Sequence, residues 1–515
     1  MKTSLPHVAA YWDNTVAKLP NATAAVYEGQ HLSYAEADGL VSRLAGYLAD
    51  VVGVGNGDRV CLALPNCLEF LLAYWATLRL GAIVAPVNTR LRADELQYVL
   101  RNCEPKAVVL HEQTEAATVA ALQLERLRPH LLGVNPGLGG VSDPDVATPF
   151  STALACGTPR PTAAIASDDL AVILHTSGTT GVPKGAMMRH EDLRFNVAQA
   201  ILAHSFRHED LHLLAIPCFA PTAAYSLLPT CAYLGSGLVI APRPQAGELL
   251  ELIAAHRCTT FIGVPTLFHL LLQDGRLGAT DVSSLRLIAY SGSPMPPRTI
   301  QELRRRFPHV ALHNFFGLTE TISITHVLPS RDALDHADSI GKLLPEVHAR
   351  IVDEAGCEVP IGEVGELCLR RDCVIPGYWN RPGLLEESIR DGWFHTGDLA
   401  SVDAQGFFYV QGRKKEMIIV AGQNVYAPEV ERVILTHDAV LEAAVVGVPA
   451  TGVRAALGEL VKAVVVLRPG AEVGERDIKR HCAAALPSYK VPQIVEFRPE
   501  LPRNAAGKVL KRDLV

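Results

Sequence analysis

Short apolar runs alternate with amphipathic stretches along most of the chain. The runs at 59–64 and 82–87 are rich in valine, leucine and alanine, and between them residues 68–80 carry apolar side chains at helical spacing. Short runs of this kind predict buried strands, whereas apolar residues three and four positions apart predict a helix. The alternation recurs at 211–271 and 285–314. It predicts an α/β fold with layered, mostly parallel sheets and helices.

The pattern changes near Gly412-Arg413-Lys414-Lys415-Glu416. Beyond this point lie apolar runs at 443–448 and 460–467, and helical patterns begin at Pro428 and near Glu475. A chain of 515 residues exceeds what one hydrophobic core usually supports. We therefore expect a large N-terminal domain over 1–412 and a small, mobile α+β C-terminal domain over 413–515.

Composition narrows the class of protein. Apolar residues make up 49% and charged residues 20%, which is typical of a globular enzyme. The formal net charge of −7 provides no general attraction for nucleic acid or for an anionic membrane surface. The eleven cysteines lack the paired spacing of a zinc site, and the first residues lack the apolar core of a signal peptide. We expect reduced thiols and a cytoplasmic location, with no nucleic-acid partner.

One uncharged region, 213–241, is long enough to cross a bilayer. It is interrupted by three prolines and two glycines, at Pro217, Pro221, Pro229, Gly235 and Gly237. These residues favour short strands and helices around a pocket over a membrane span.

The segment 175–185 reads His-Thr-Ser-Gly-Thr-Thr-Gly-Val-Pro-Lys-Gly and directly follows the apolar run 170–174. A strand that leads into such a turn presents backbone N–H groups, hydroxyls and an ammonium group to an anion. Glycine permits close approach of the backbone to phosphate oxygens. The lysine is not placed as in a Walker loop, which needs Gly-Lys-Ser/Thr. The segment therefore predicts a phosphate-binding loop of another kind.

This segment resembles the phosphate loop of the adenylate-forming superfamily, which includes acyl- and aryl-CoA synthetases, adenylation domains of peptide synthetases and luciferases. Further motifs follow in the family's order and extend the resemblance over nearly the whole chain. They are Asn-Phe-Phe-Gly-Leu-Thr-Glu-Thr at 314–321, Gly-Trp-Phe-His-Thr-Gly-Asp at 392–398 and Pro-Arg-Asn-Ala-Ala-Gly-Lys-Val at 502–509.

The resemblance implies a site for ATP and Mg²⁺. Phe316, which stands in the place of the family's tyrosine, would stack on adenine, and Glu320 would bind Mg²⁺, a cation that prefers oxygen ligands. The phosphate cradle would comprise Thr176, Ser177, Gly178, Thr179, Thr180, Gly181 and Lys184. Adenine and phosphate contacts would come from Gly292, Ser293, Pro294, Asn314, Gly317 and Thr319, and ribose contacts from Asp398 and Arg413.

The C-terminal residues would act at successive stages. The resemblance makes Lys508 the adenylation lysine, a flexible point charge able to bridge a carboxylate and the α-phosphate. Thr176 and Glu320 join it as catalytic residues. Lys415 stands at the hinge position, and Gly422 lies in the segment that lines the pantetheine tunnel of coenzyme A.

The resemblance also places an acyl pocket. Peptide-synthetase adenylation domains have an aspartate after the phenylalanine that matches Phe219, and many acyl- and aryl-CoA synthetases have a histidine there. This chain has Ala220, so no buried anion awaits an α-amino group. The pocket residues are mainly apolar and favour an aromatic, alicyclic or fatty acid, with room for a bulky one. They are Phe219, Ala220, Tyr225, Val264, Gly317 and Ile322.

These features predict a ligase that joins a carboxylic acid to coenzyme A through an acyl-adenylate. A carrier-protein thiol is an alternative acceptor, because it presents the same phosphopantetheine arm. A luciferase-like monooxygenase and a non-catalytic nucleotide-binding relative are further alternatives, although Lys508, Glu320 and Asp398 argue against the last. The sequence leaves the oligomeric state open, with a homodimer as one option.

Overall fold

The structure, a computed structural model, describes residues 5–134, 147–176, 183–293, 295–450, 458–503 and 509–515. It divides into two compact units. The first comprises Met1–Ala337, Leu343–Val347 and Arg371–Ile389, and the second comprises Asp338–Lys342, His348–Arg370 and Arg390–Val515. The predicted C-terminal domain from Arg413 onward lies within the second unit, and its boundary after Gly412 stays a prediction.

The first unit contains most of the helices and strands. Its helices are α1 (Ala9–Lys18), α2 (Tyr34–Asp50), α3 (Leu68–Arg79), α4 (Ala93–Cys103), α5 (Glu112–Glu125), α6 (Phe150–Cys156), α7 (His190–His204), α8 (Leu228–Leu234), α9 (Ala246–His256), α10 (Pro265–Gln273) and α11 (Pro297–Arg306). Its strands are β1 (Thr23–Tyr27), β2 (Gln30–Ser33), β3 (Arg59–Ala63), β4 (Ile83–Pro86), β5 (Ala107–His111), β6 (His130–Val134), β7 (Thr148–Pro149), β8 (Leu170–Thr176), β9 (Lys184–Arg189), β10 (Leu211–Leu214), β11 (Gly237–Ile240), β12 (Thr260–Gly263), β13 (Leu287–Tyr290), β14 (Ala311–Phe316) and β15 (His326–Leu328).

The strands of the first unit form two sheets. One runs in the order β15-β14-β13-β12-β10-β11-β1-β2 and is parallel between β14 and β1, with antiparallel strands at its ends. The other runs in the order β7-β6-β5-β3-β4-β8-β9 and is parallel except for the β8–β9 hairpin. The predicted layered, mostly parallel architecture is confirmed.

The predicted elements occur close to their expected places. The run at 59–64 forms β3, residues 68–80 form α3 and the run at 82–87 forms β4. Nearly every side chain of α3 is buried, because the helix is apolar around its whole circumference. The region 213–241 breaks at its prolines and glycines into β10, α8 and β11. Within the described ranges no helix combines the length and apolarity needed to cross a membrane.

The second unit contains an antiparallel sheet and, nearer the C-terminus, a hairpin and a three-stranded sheet. An antiparallel sheet is formed by β17 (Ala349–Val352), β18 (Gly365–Arg370), β20 (Trp393–Val402) and β21 (Phe408–Arg413). The short strands β16 (Lys342–Leu343) and β19 (Ile389–Arg390) fall where the chain passes between the units. Beyond Arg413 follow the hairpin β22 (Ile418–Val420) and β23 (Gln423–Val425), then α12 (Ala427–Leu435), β24 (Val440–Pro449), β25 (Glu459–Leu467), α13 (Glu475–Ala483) and β26 (Ile494–Phe497).

The C-terminal elements share a core of their own. Its buried members come from β22, α12, β24, β25 and α13, and they include Val430, Val445 and Val461. The predicted strands at 443–448 and 460–467 correspond to β24 and β25, and the predicted helices correspond to α12 and α13. The predicted small α+β architecture is therefore confirmed for this part of the chain.

Short 3₁₀ turns connect several of these elements. They lie at Gly275–Gly278, Ser330–Asp332, Arg371–Cys373, Glu386–Ser388, Lys414–Glu416, Ser488–Lys490 and Lys511–Leu514. All eleven cysteines lie in described segments, and no disulfide joins any of them.

Candidate active site

The predicted adenine and acyl segments meet at one edge of a sheet. In the parallel strands β12, β13 and β14, Gly263 lies opposite Tyr290 and Tyr290 lies opposite Asn314. The three strands therefore end side by side, and the residues that follow them emerge at the same edge. In open α/β sheets, ligands bind outside the carboxyl ends of the strands. Val264, the turn after Tyr290 and the motif from Asn314 all lie at this edge.

The turn after β13 contains Gly292, whose φ of +88° is a backbone conformation that favours glycine. The Ser291 amide donates to the Gly263 carbonyl at 3.4 Å, which ties this turn to the end of β12. A Cβ on Gly292 would lie 3.8 Å from Cγ1 of Val264. Val264 is 47% exposed although it is apolar. Ser293 is exposed, and Pro294 lies outside the described residues.

The segment after β14 is a tight turn and not the beginning of a helix. The Thr321 hydroxyl accepts from the Leu318 amide at 2.9 Å, and the Thr325 amide donates to the Phe316 carbonyl at 2.8 Å. Phe316 is half-buried, with its ring edge-on to His326 at a centroid separation of 5.8 Å. A Cβ on Gly317 would lie 3.0 Å from the Ser323 carbonyl oxygen, so a side chain here would press on the backbone of the same turn.

Glu320 lies in this turn, half-buried, as does Thr319. The Tyr378 hydroxyl donates to Oε1 of Glu320 at 2.9 Å. Burial and the negative charge of Glu320 raise the pKa of Tyr378 well above its usual range, so its hydroxyl keeps the proton that it donates.

Glu320 suits the predicted Mg²⁺. Nucleotide-bound Mg²⁺ usually takes only one or two protein carboxylates and keeps phosphate and water as its other ligands. Among the described residues, no group of three or more histidine, cysteine, aspartate or glutamate side chains could hold a metal ion by itself. A single carboxylate beside bound phosphates fits such an ion.

The predicted phosphate loop connects β8 to β9. Thr176 pairs with Lys184 and His175 pairs with Gly185 in this antiparallel hairpin, so the two ends of the loop are adjacent. The Lys184 ammonium lies 5.2 Å from the ring centroid of Tyr378, within the range of a cation–π interaction. The side chain of Thr176 lies outside the described residues, together with Ser177, Gly178, Thr179, Thr180 and Gly181.

His175 is held at the base of this loop. Its Nε2 lies 2.9 Å from the amide oxygen of Asn102, which is next to the end of α4. Nδ1 of His175 lies 4.0 Å from the sulfur of Cys103. A Cβ on Gly185 would approach the His175 ring to within 3.1 Å. A side chain at this position would therefore require the His175 ring or a neighbouring side chain to shift.

The acyl segment follows β10, and the Asn66 side chain forms hydrogen bonds with its backbone. The buried amide of Asn66 donates to the Ile216 carbonyl at 2.9 Å and accepts from the Cys218 amide at 2.8 Å. Phe219 and Ala220 are both half-buried. They precede a six-residue π-helical segment, Thr222–Leu227, and such segments are frequent at functional sites.

One backbone carbonyl of the π-helical segment accepts a hydrogen bond from a side chain outside it. Pro229 has no N–H to donate to the carbonyl five residues before it, that of Ala224. The Tyr74 hydroxyl donates to this carbonyl at 2.7 Å instead. The buried backbone oxygen therefore has a hydrogen bond without helical continuity.

Two predicted pocket residues are deeply buried. Tyr225 is 2% exposed, and its hydroxyl donates to the Ala186 carbonyl at 3.4 Å. Ile322 is 4% exposed, and the Asn196 amide donates to its carbonyl at 2.7 Å. Burial, followed by the nearby charge of Glu320, raises the pKa of Tyr225 far above its usual range.

In the second unit, the predicted ribose residues face each other across β20 and β21. Asp398 pairs with Arg413 in the strand register, and Nε of Arg413 lies 2.8 Å from Oδ1 of Asp398. Arg413 also donates to the Thr396 carbonyl at 3.0 Å. Asp398 is only 4% exposed. The cross-strand pair fixes the direction of both side chains.

A further carboxylate supports this pair. Oε1 of Glu366 accepts from the Gly397 amide at 3.2 Å, next to Asp398. Its Oε2 lies 3.2 Å from Nδ1 of His395 and 3.2 Å from the Lys414 ammonium. Burial tends to raise the pKa of Glu366, but the neighbouring His395 and Lys414 outweigh it and lower that pKa overall.

The remaining predicted residues lie beyond this strand. Lys415 is exposed in the 3₁₀ turn Lys414–Glu416. Gly422 and Ala421 form the two-residue turn of the β22–β23 hairpin, and both have positive φ, as this type of turn requires. The turn accounts for the glycine structurally, and its contact with pantetheine stays a prediction. Lys508 lies outside the described residues.

Sequence reasoning missed Asn66, Glu366 and Tyr378. Each acts on a residue that is distant along the chain, such as Tyr378 on Glu320, 58 positions away. No local spacing signals such a contact. The apolar and polar pattern around Tyr378 is that of an ordinary loop.

Comparison with known proteins identifies the family. The family model described as AMP-binding enzyme matches residues 12–379, and the AMP-binding enzyme C-terminal domain matches residues 429–508. A long-chain-fatty-acid–CoA ligase of Escherichia coli O6:H1 is 34% identical over 538 residues, covering 98% of this chain and 93% of the relative. A feruloyl-CoA synthase of Amycolatopsis sp is 33% identical over 495 residues, covering 96% of both.

A solved structure agrees with these relatives. An anthranilate CoA ligase in complex with anthranoyl-AMP superposes with a TM-score of 0.90 at 25% identity, covering 99% of this chain and 97% of the other. The motifs, the arrangement of the strands and these matches lead to one assignment. The chain belongs to the AMP-binding enzyme family, within the adenylate-forming superfamily, and it is similar to the acyl- and aryl-CoA ligases of that superfamily.

Proposed function

We propose that this AMP-forming ligase activates a hydrophobic carboxylic acid and transfers its acyl group to coenzyme A. The observation that carries the substrate class is the acyl segment after β10. Ala220 stands where a charged or imidazole side chain would distinguish other members of the superfamily, and no charged residue occurs between 213 and 241. A site without a buried charge favours an acid whose remaining part is apolar.

The exposed apolar side chain of Val264 supports this proposal. Val264 lies beside the Gly292 turn at the sheet edge where the adenine segments also emerge. An apolar group that remains accessible at such an edge gains stability when a ligand covers it. The relatives act on fatty, feruloyl and anthranoyl groups according to their names, and all of these groups are largely apolar.

The first step joins the acid to ATP. A carboxylate oxygen attacks the α-phosphorus, the bond to the β-phosphate oxygen breaks, and pyrophosphate leaves with that electron pair. The protein's contribution to such a reaction is positioning and charge stabilisation. We assign phosphate binding to Lys184 and the loop before it, ribose binding to Asp398 and Arg413, and transition-state stabilisation to Lys508. A bound Mg²⁺ at Glu320 would neutralise phosphate charge.

The second step forms the thioester. The thiol of coenzyme A loses its proton to the solvent, and its sulfur attacks the acyl carbon. The bond between that carbon and the phosphate oxygen of AMP breaks, and AMP leaves with the electron pair. We propose that a movement at Lys415 withdraws Lys508 between the two steps, as in other lid-gated enzymes. The exposed position of Lys415 in a short turn, between β21 and the separate C-terminal core, supports this role.

The test is release of AMP and pyrophosphate with Mg²⁺ and ATP across aromatic, alicyclic and fatty acids, each with and without coenzyme A. Turnover that requires both a hydrophobic acid and coenzyme A is the expected result. Pyrophosphate release that coenzyme A leaves unchanged would overturn the proposed acceptor, and oxygen uptake or light would indicate a monooxygenase. Stimulation by a phosphopantetheinylated carrier protein, but not by coenzyme A, would indicate the carrier as acceptor. Activity confined to amino acids would overturn the substrate class.

Ala220 provides a matched test of the pocket. The variant Ala220→Asp places a carboxylate in the acyl segment, and desolvation plus repulsion of the substrate carboxylate should weaken binding of hydrophobic acids. We expect KM for the acid to rise by about 10-fold or more, whereas Ala220→Ser should change it far less. Equal effects of the two substitutions would place Ala220 away from the acyl group.

A further inference from the structure

A backbone segment, Cys373–Trp379, joins the two sheets of the first unit. On one side, the Ile375 amide donates to the Glu320 carbonyl at 2.9 Å. On the other side, the Trp379 amide donates to the Gly185 carbonyl at 2.8 Å and the Met187 amide donates to the Gly377 carbonyl at 3.1 Å. The segment is therefore fixed both to the turn after β14 and to β9.

Arg371, which lies two residues before this segment, also binds its backbone. One terminal nitrogen of its guanidinium donates to the carbonyls of Val374 and Ile375, each at 3.0 Å, and the other donates to that of Pro376 at 3.2 Å. A planar guanidinium that binds three successive carbonyls leaves the backbone little freedom. Tyr378 therefore projects from a segment whose position is strongly constrained.

The side chain of Tyr378 contacts both opposite charges of the predicted phosphate site. Its hydroxyl donates to Oε1 of Glu320 at 2.9 Å, and the Lys184 ammonium lies 5.2 Å from its ring centroid. The residue is 7% exposed, so water competes little for either contact. Hydrogen bonds to a charged group and cation–π contacts both strengthen when they are removed from water.

We propose that Tyr378 is a positioning residue that sets the carboxylate of Glu320 and the ammonium of Lys184 for binding of magnesium and nucleotide phosphate. This proposal rests on the proposed function. The hydrogen bond from the hydroxyl to Oε1 restricts the orientation of the carboxylate, and this carboxylate would hold the metal ion. The ring face contacts the ammonium, so one side chain restricts both charged groups.

Two substitutions separate the two contacts. Tyr378→Phe keeps the ring face but removes the donor to Glu320, and Tyr378→Leu removes both. Tyr409→Phe is the matched control, because its hydroxyl donates to Oδ2 of Asp403 at 2.9 Å in the second unit. All three variants lose a tyrosine–carboxylate hydrogen bond, and only two of them lose it at the predicted phosphate site.

Two readouts are measured. The first is the concentration of free Mg²⁺ that gives half-maximal AMP formation at saturating ATP. The second, which needs no turnover, is the rise in unfolding temperature caused by ATP, taken once with Mg²⁺ and once with EDTA. For Tyr378→Phe we expect the Mg²⁺ midpoint to rise by about 10-fold, as for loss of a hydrogen bond to a charged group. The rise in unfolding temperature should fall only with Mg²⁺ present.

For Tyr378→Leu we expect the same change in the Mg²⁺ midpoint. In addition, ATP in the presence of EDTA should raise the unfolding temperature less than it does in the wild type. This second loss reflects an affinity decrease of about 3-fold, typical of a cation–π contact. Tyr409→Phe should leave both readouts as in the wild type. A Mg²⁺ midpoint indistinguishable from wild type in Tyr378→Phe would overturn the proposal, as would an equal shift in Tyr409→Phe.

Two further outcomes are distinguishable. If the wild-type protein neither binds ATP nor forms AMP with any acid, the proposed function fails, independently of Tyr378. If Tyr378→Phe does not fold, Glu320→Asp retracts the carboxylate from the hydroxyl while keeping its charge. An unchanged Mg²⁺ midpoint in that variant overturns the proposal.

Discussion

Glu366 accepts a hydrogen bond from the Gly397 amide at 3.2 Å, through one oxygen of a largely buried carboxylate. The other oxygen lies 3.2 Å from the Lys414 ammonium, whose side chain is 44% exposed. Gly397 precedes the predicted ribose residue Asp398, and Lys414 precedes the predicted hinge residue Lys415. One glutamate therefore links the ribose turn to the hinge segment, through one buried and one exposed contact.

The two contacts should contribute unequally to nucleotide binding. Glu366→Gln removes the charge beside His395 and Lys414 and alters the acceptor of the Gly397 amide, so we expect the Kd for ATP to rise by about 10-fold. Lys414→Met removes only the exposed ion pair, which should change that Kd by less than about twofold. Isothermal titration of both variants measures the difference. Equal losses would mean that the ion pair, and not the buried hydrogen bond, orients the ribose turn.

Gly185 tests the importance of the loop base. Gly185→Ala would place a Cβ 3.0 Å from Ile173 and 3.1 Å from the His175 ring, so we expect it to press on the ring that contacts Asn102. We expect a destabilisation of about 1–3 kcal/mol and weaker ATP binding. Thermal unfolding and titration with ATP measure the two effects.

Gly278→Ala is the control for this substitution. A Cβ at Gly278 meets no atom within 4 Å, and its backbone φ is not in the left-handed region. This variant should keep the wild-type unfolding temperature and ATP affinity. Wild-type behaviour of Gly185→Ala as well would show that the hairpin readily accommodates the extra methyl group.

A group of buried histidines predicts acid sensitivity. Burial lowers the pKa of His212 to about 4 and that of His313 to about 4, and burial also lowers the pKa of His204. Between these values and the ordinary value of 6.5, the unfolded chain binds protons that the folded chain excludes. The contribution of these histidines to stability should therefore be constant well above pH 6.5 and fall as the pH decreases from 6.5 to 4.

The measurement is the unfolding temperature as a function of pH. His212 contacts Thr260 at 2.6 Å and Ser236 at 3.1 Å, and His212→Asn keeps hydrogen-bonding groups without an imidazole to protonate. Between about pH 6.5 and 5, this variant should lose less stability than the wild type, by about 1–2 kcal/mol. The exposed His309→Asn should leave the pH dependence unchanged. A slope in His212→Asn that equals the wild-type slope would contradict the assignment to His212.

Lys508 tests the division between the two chemical steps. Lys508→Ala should reduce adenylate formation by at least about 100-fold, because it removes a charge from the transition state. The same variant should still convert supplied acyl-adenylate and coenzyme A to thioester at a rate within about 3-fold of wild type. Equal loss of both steps would contradict the proposed withdrawal of this lysine. Lys511→Ala, at a nearby lysine paired with Glu431, is a suitable control.

The elements of the fold are well predicted from sequence, because local patterns determine them. The run at 170–174 becomes β8, and the predicted runs at 59–64 and 82–87 become β3 and β4. The supporting contacts of the site are not predictable in this way. Tyr378 contacts Glu320 and Asn66 contacts Ile216 only after distant segments have come together, and neither has a neighbour in sequence that indicates its role.

The hydrogen bond from Tyr74 to the Ala224 carbonyl links two positions that are 150 residues apart. The bond is needed because Pro229 offers no N–H in the π-helical register. In homologous chains in which another residue replaces this proline, the helix itself supplies a donor and the tyrosine hydroxyl is no longer required. We therefore expect the residues at the positions of Tyr74 and Pro229 to change together during evolution, with phenylalanine in place of Tyr74 wherever the proline is absent.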